Sequence, residues 1–178
     1  MNGFAHPGKN TEAFALAPGM HVADIGCGTG AYVLFMAHEV GAEGKVYAID
    51  VQKGLLDKVT AEAHRRHLNT ITTVWANADE KGGLKLRDSS LDFALLSNVL
   101  FQSEHKDNMI TEVLRVVKPL GRVAVIDWSE SYGNLGPIPG HVVPEQVARE
   151  MFERHGATVD KTFSAGAHHY GIIFRKHK

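Results

Sequence analysis

The sequence predicts an α/β protein whose doubly wound sheet is mostly parallel and turns antiparallel at its C-terminal end. Three observations carry this. A short apolar run closed by glycine, Met20 to Gly26, leads into a helical pattern from Ala31 to Val40 and a second apolar run, Val46 to Ile49, which together make a βαβ unit. The later apolar runs are too continuous for a sheet with one face in water. The last two β-like segments are joined by a connection too short for a crossover helix, so they pair antiparallel.

In chain order, the roughly 20 residues before the first strand have room for one short helix. After the second strand, Gly54 to His67 reads as an amphipathic helix with Leu55, Leu56, Val59 and Ala63 on its apolar stripe. Ile71 to Trp75, Leu91 to Leu96 and Arg122 to Trp128 are the third, fourth and fifth strands. The helix before the fifth places Met109, Val113, Leu114 and Val117 on one side and stops at Lys118-Pro119-Leu120-Gly121. Residues Gly133 to Val143 hold three glycines and two prolines and read as a long surface loop, a candidate lid or acceptor-side loop. Pro144 opens a helix to about Arg154, Gly156 ends it, and Ala157 to Phe163 and Tyr170 to Arg175 form the final hairpin around Ser164 to His168. Residues 1–178 are read as one domain, with 1–19 as a short N-terminal segment.

Composition narrows the function classes. The 178 residues are 44% hydrophobic and 22% charged, as expected of a packed globular domain. Nineteen Lys and Arg against twenty Asp and Glu leave a formal charge of −1, which argues against nucleic acid as a partner. One cysteine, Cys27, forms no intramolecular disulfide and builds no thiolate metal site. The N-terminus, Met-Asn-Gly-Phe-Ala-His-Pro, lacks a targeting pattern and no apolar run suits a membrane span, so a cytoplasmic protein is expected. Eleven histidines are many, yet no His-x-x-x-His or comparable spacing supports a metal, and none is expected. His64 and His67, beside Arg65 and Arg66, read as a solvated helix face.

The chemistry starts at Asp24-Ile25-Gly26-Cys27-Gly28-Thr29-Gly30, where the first strand turns into the first helix of the βαβ unit. Glycines there permit a sharp turn and close approach of a ligand to the backbone. Asp50 follows Gly30 by 20 residues, the spacing at which a carboxylate ending the second strand reaches ribose hydroxyls. A nucleoside-containing cofactor is implied. Gly26-x-Gly28-x-x-Ala31 also satisfies the dinucleotide fingerprint, so a nicotinamide-dependent reductase is a rival reading. Against it, the charge of Asp24 opposes a pyrophosphate and suits the sulfonium and ammonium of S-adenosylmethionine. A non-catalytic S-adenosylmethionine-binding module is the third reading.

These motifs resemble those of class I S-adenosylmethionine-dependent methyltransferases of the small ubiquinone/menaquinone-biosynthesis-like, type 11/25-like, kind. The resemblance spans roughly Pro18 to Trp128. Val22 to Gly30 is similar to the family's first motif, Val46 to Asp50 to its second, and Leu91 to Asn98 to its fourth-strand motif. Leu114 to Arg122 is similar to its Leu-Lys-Pro-Gly-Gly turn, with Leu120 in place of a glycine. The resemblance implies a Rossmann-like sheet of seven strands with the last antiparallel, and S-adenosylmethionine as cofactor with S-adenosylhomocysteine as product. It places Gly26, Gly28 and Gly30 under the methionine part, Asp50 on the ribose and Val51 against the adenine. The third motif departs from type: Ala76-Asn77-Ala78 stands where Gly-Asp-Ala is common, so Asn77 or the following Asp79 would take the adenine amine. Asp24, Cys27, Ala78 and Ser97 complete the expected cofactor-binding set.

Methyl transfer needs alignment and desolvation more than catalytic groups. Acceptor-side residues are expected where the strands end. After the fourth strand these are Asn98, Phe101 and Gln102; after the fifth, Asp127 and Trp128; in the hairpin, His168, His169 and Tyr170. Asn98 and His169 are the catalytic candidates. Adjacent strand residues point to opposite faces, so only one of His168 and His169 can face the crevice. Ser97-Asn98-Val99-Leu100 lacks the Asn-Pro-Pro-Tyr pattern of base-amine methylation, and a single cysteine argues against arsenite. A small or lipid-like organic acceptor remains. With little chain before the first strand, the crevice is expected to stand open, and so to admit a large or protein acceptor, unless the 133–143 loop or a second subunit, in a homodimer, covers it.

Overall fold

The computed structural model of the protein describes residues 6–133 and 135–178. The first five residues of the expected N-terminal segment and residue 134 of the expected lid lie outside the described residues. Seven strands form one sheet: β1 His21–Ile25, β2 Lys45–Asp50, β3 Ile71–Trp75, β4 Leu91–Ser97, β5 Val117–Trp128, β6 Ala157–Gly166 and β7 His169–Lys176. Their spatial order is β3-β2-β1-β4-β5-β7-β6. The first five pair in parallel, whereas β7 runs antiparallel to both β5 and β6. The doubly wound, mostly parallel sheet expected from the sequence is therefore present.

Among the described residues five helices cover it: α1 Pro7–Phe14, α2 Ala31–Val40, α3 Lys53–Arg65, α4 Lys106–Val116 and α5 Glu145–Arg154. Two apolar layers follow from strand alternation. Val22, Phe93, Leu95, Ala124, Ile126 and Ile173 pack under α1, α2 and α3. Ala23, Ala94, Leu96, Val123, Val125 and Ile172 pack under α4 and α5. Both faces are dry, which is why the central strands read as unbroken apolar runs.

Two readings need correction. Val117 is not on the helix's apolar stripe: α4 stops at Val116, and Val117 is extended and paired with Leu91 at the start of β5. The residue two before a proline-led turn leaves the helix early because Pro119 disfavours helical backbone at Lys118. The next register pair is Phe93 with Arg122, so Lys118 to Gly121 bulge out opposite Asp92. Leu120 sits there at φ 63°, half exposed, in a conformation that favours glycine. The hairpin is also tighter than expected, with β6 running to Gly166 and β7 starting at His169.

Candidate functional site

Parallel strands β1, β2 and β4 end on one rim of the sheet, where the strand order reverses between β1 and β4. Such a switch point opens a crevice outside the carboxyl ends. The turn after β1 is built for it. Gly26 and Cys27 donate to the Ile49 carbonyl at 2.8 and 2.9 Å, and Gly30 donates to Cys27 at 2.9 Å before starting α2 at φ 84°. A Cβ on Gly26 would stand 2.4 Å from Cγ2 of Val99, so this glycine is required by the loop that crosses it. At Gly28 a Cβ would meet nothing within 4 Å. That glycine faces open space.

The carboxylate of Asp50 locks this turn to β2. Its Oδ2 accepts the Gly28 N–H and its Oδ1 the Gln52 N–H, each at 2.9 Å. Each oxygen keeps further acceptor capacity for a ligand hydroxyl. Asp24 is buried behind the turn, and desolvation followed by the nearby charge of Asp50 pushes its carboxyl up to about 7. Burial, with Asp24 and Asp50 adding, raises the Cys27 thiol as well, which keeps it protonated and unreactive.

A cleft of about 730 Å³ lies over these groups, within the range of roughly 300–1,000 Å³ usual for ligand sites. It brings together Gly26, Gly28, Asp50, Val51, Asn77, Ala78, Asp79 and Gln102 of the expected site residues. Asp24, Cys27, Gly30 and Ser97 do not line it. Val51 is half exposed, and its carbonyl accepts the Trp75 indole N–H at 2.9 Å, which fixes the backbone beside the cleft. Of the two adenine candidates, Asn77 accepts the Asp79 N–H at 3.1 Å. The Asp79 carboxylate is engaged with the Ser103 hydroxyl at 2.6 Å and the Glu104 N–H at 3.2 Å.

Sequence reasoning missed part of the wall: Leu55, Ser103, His105 and Met109 also line the cleft. Leu55 and Met109 carried only a helix-core signal. The polar run Gln102 to His105 ahead of α4, close after a strand end, was the available clue for the others.

The acceptor-side candidates divide between the two faces. Trp128 pairs with His169 and Asp127 with Tyr170 across β5 and β7. On the α1 face the His169 imidazole lies 4.3 Å from the Trp128 ring, is buried, and has no hydrogen-bond partner on either nitrogen. Desolvation, with His168 adding, lowers its pKa and keeps it neutral. On the α4/α5 face Asp127 is fully buried and Tyr170 nearly so, the Tyr170 hydroxyl without a partner. His168 stands apart, with Nδ1 2.8 Å from Glu130 and its ring stacked on Tyr132. Asn98 occupies left-handed backbone at φ 58°, and its Oδ1 is buried and unpartnered. Phe101 is half-buried against the core of the α4/α5 face. The 133–143 loop contains one 3₁₀ turn, Pro139–His141, and packs on the Trp128 indole, which a Cβ on Gly136 would meet at 2.7 Å.

The cleft fits a nucleoside with a cationic appendage. Asp50 offers free acceptor capacity, Gly28 leaves its backbone open, and the paired acids Asp24 and Asp50 oppose a pyrophosphate. Among the described residues no group of three His, Cys, Asp or Glu side chains could hold a metal, and no helix is long and apolar enough to cross a membrane.

Comparison with known proteins bears on the family and the fold. A family model described as a methyltransferase domain matches residues 16–170. A demethylmenaquinone methyltransferase from Listeria welshimeri is 30% identical over 112 residues, 63% of this chain and 46% of that protein. An arsenite methyltransferase from Halobacterium salinarum is 31% identical over 119 residues, 66% of this chain and 30% of that protein. The chain thus spans less than half the length of these curated relatives. The crystal structure of a SAM-dependent methyltransferase from Aquifex aeolicus superposes with a TM-score of 0.87 at 27% identity, covering 97% of this chain and 90% of that one. The [4+2]-cyclase SpnF, at 17% identity and a TM-score of 0.81, shares the fold alone. It covers 96% of this chain and 81% of its own.

Proposed function

The chain belongs to the methyltransferase domain family and carries a class I, S-adenosylmethionine-dependent domain, and from that premise we propose that it methylates a small or lipid-like organic acceptor held at the carboxyl ends of β4 and β5 and the amino end of β7. The observation that carries this reading is a juxtaposition. An acid-lined cleft at the ends of β1 and β2 adjoins a rim where Asn98 and His169 keep buried polar atoms without partners.

S-adenosylmethionine, when bound, supplies a methyl group already activated by its sulfonium. This chain's residues would bind and orient. Asp50 would accept the ribose hydroxyls while holding Gly28 and Gln52, Val51 would pack on the adenine, and Asn77 or Asp79 would accept from its amine. Gly28 would let the ligand approach the backbone while Gly26 and Gly30 keep the turn packed against Val99 and Val59, and Asp24 would supply the negative field that favours a cation.

On the acceptor side, a neutral imidazole shielded by Trp128 can take a proton from an acceptor hydroxyl or amine at Nδ1 or Nε2. The Asn98 Oδ1 can accept a hydrogen bond from the same molecule and help align it. Of the other residues expected on the acceptor side, Trp128 lies against His169, whereas Gln102 lines the cofactor cleft, Phe101, Asp127 and Tyr170 pack on the α4/α5 face and His168 pairs with Glu130. The lone cysteine is buried in the turn under the cofactor cleft, so this chain's one thiol is not presented to an arsenite acceptor.

Thermal unfolding with S-adenosylmethionine, S-adenosylhomocysteine and the nicotinamide dinucleotides tests the reading. Ligand at about 100 times its Kd adds roughly 2.7 kcal/mol, and each kcal/mol moves the midpoint by about 2–4 °C at this size. Stabilisation by the S-adenosyl compounds alone is expected, followed by label transfer from S-adenosylmethionine to an acceptor library. Stabilisation by a dinucleotide would overturn the reading. S-adenosyl binding with no transfer to any acceptor would favour a binding module.

A further inference from the structure

The loop after β4, residues 98–102, is the segment that touches both halves of the rim. Val99 and Gln102 line the cofactor cleft, and Val99 presses on Gly26. The loop is pinned at its ends, by Asn98 N–H to the Ile126 carbonyl at 2.8 Å and Gln102 N–H to the Val99 carbonyl at 3.0 Å. Its middle is held otherwise. The Phe101 N–H donates to Asp127 at 3.2 Å with the Leu100 N–H bearing on the same carboxylate, which also accepts the Trp128 N–H at 2.8 Å.

Asp127 is fully buried and does not line the cleft. Lys106 on α4 is the cation that bears on it, with its ammonium donating to the Ser103 carbonyl at 2.6 Å. Tyr170 on β7 faces it from the other side, with Glu145 of α5 beyond. A buried carboxylate without a direct ion pair is costly. What it achieves here is the satisfaction of N–H groups in a loop with no regular structure.

We propose that Asp127 is the positioning residue for the cleft wall: from beneath the 98–102 loop it sets the place of Val99 and Gln102, and so the cleft's affinity for its ligand. The affinity arm of the test rests on the proposed S-adenosyl ligand, while the loop arm does not. In Asp127→Asn a carboxamide N–H₂ faces one of the loop's N–H donors. Calorimetry with S-adenosylhomocysteine should show Kd rising about tenfold, the size expected when one charge-assisted hydrogen bond is lost. Amide hydrogen exchange should accelerate within 98–102 and leave β2 and α3 unchanged. Unchanged exchange in the loop, or acceleration spread evenly over the chain, would overturn the proposal.

Should the variant fail to fold, the wild-type protein decides. Burial pushes the Asp127 carboxyl up to about 6, so the Leu100 and Phe101 amide resonances should move together with the Asp127 carboxyl carbon through one transition near that pH. Independent or absent transitions would overturn it. Wild-type protein that does not bind S-adenosylhomocysteine would defeat the proposed function and leave the exchange and resonance arms to judge Asp127.

Discussion

The two halves of the rim differ in how complete they are. On the β1–β2–β3 side the glycine turn, Asp50, Asn77 and Asp79 are tied together by hydrogen bonds to backbone and to one another. On the β4–β5–β7 side Asn98 Oδ1, both nitrogens of His169 and the Tyr170 hydroxyl are buried without partners, and Arg149 Nε adds a fifth orphan on α5. Among the described residues, none of these five atoms belongs to the β1–β3 half. Buried unsatisfied groups are rare in folded proteins and expensive. On the proposed reading the cofactor half is finished by the chain itself, whereas an acceptor would complete part of the other half.

The strongest way to break this comparison is to remove the unfinished half's chemistry. Once an acceptor is identified, His169→Ala should slow turnover about 10²-fold or more, the usual range for loss of a positioned base. Calorimetry should find S-adenosylhomocysteine bound as tightly as by the wild type. Asn98→Ala should behave alike with a smaller loss. Full turnover in both would remove the β4–β7 rim from the mechanism. The finished half is broken at Asp50. Asp50→Ala deprives Gly28 and Gln52 of their acceptor as well as removing the ribose contact, so the S-adenosylhomocysteine Kd should rise roughly 10- to 100-fold. Unchanged affinity would sink the ribose assignment.

The same contrast governs what could be read from the letters. The glycine turn and Asp50 were legible because each is local: a turn spelled in consecutive residues and an acid at a fixed spacing along one βαβ unit. The sheet was legible because strands covered on both faces leave continuous apolar runs. The wall around Ser103 was not, since the Asp79–Ser103 contact joins segments 24 residues apart that no periodicity links. Asn10, whose amide bridges the Tyr32 hydroxyl and the Ala165 carbonyl, was equally silent, because its partner lies 155 residues away. Asp127 shows a subtler limit. Its position at a strand end was evident, but whether it looked into the crevice or under the neighbouring loop depended on a register that only the assembled sheet sets.

A pair of alanines sharpens the comparison within the cofactor half. In Gly26→Ala the new methyl group would stand against Val99 in left-handed backbone at φ 74°. Strain of about 1–3 kcal/mol is expected, seen as a lower midpoint in thermal unfolding. In Gly28→Ala the methyl group enters open space, so the midpoint should fall less while S-adenosylhomocysteine binding weakens more. Equal losses in both assays would mean that the turn is only structural.

The smallest effect, and the one most specific to a cationic ligand, concerns Asp24. Its folded-state carboxyl titrates near 7, raised from an ordinary value of 3.8 by burial and by Asp50. The unfolded chain therefore gives up this proton first, and the group's contribution to stability falls as pH rises from about 4 to 7, with no further loss above that. Asp24→Asn should abolish this part of the slope and raise the unfolding midpoint at pH 8. Ligand binding should show the opposite trend. S-adenosylmethionine carries a sulfonium that S-adenosylhomocysteine lacks, so an ionised Asp24 favours the former, and the affinity ratio of the two should climb a few-fold between pH 6 and 8. Titrations common to both ligands cancel in that ratio. A ratio that stays flat in the wild type, or still climbs in Asp24→Asn, would show that this acid's charge does not reach the sulfur.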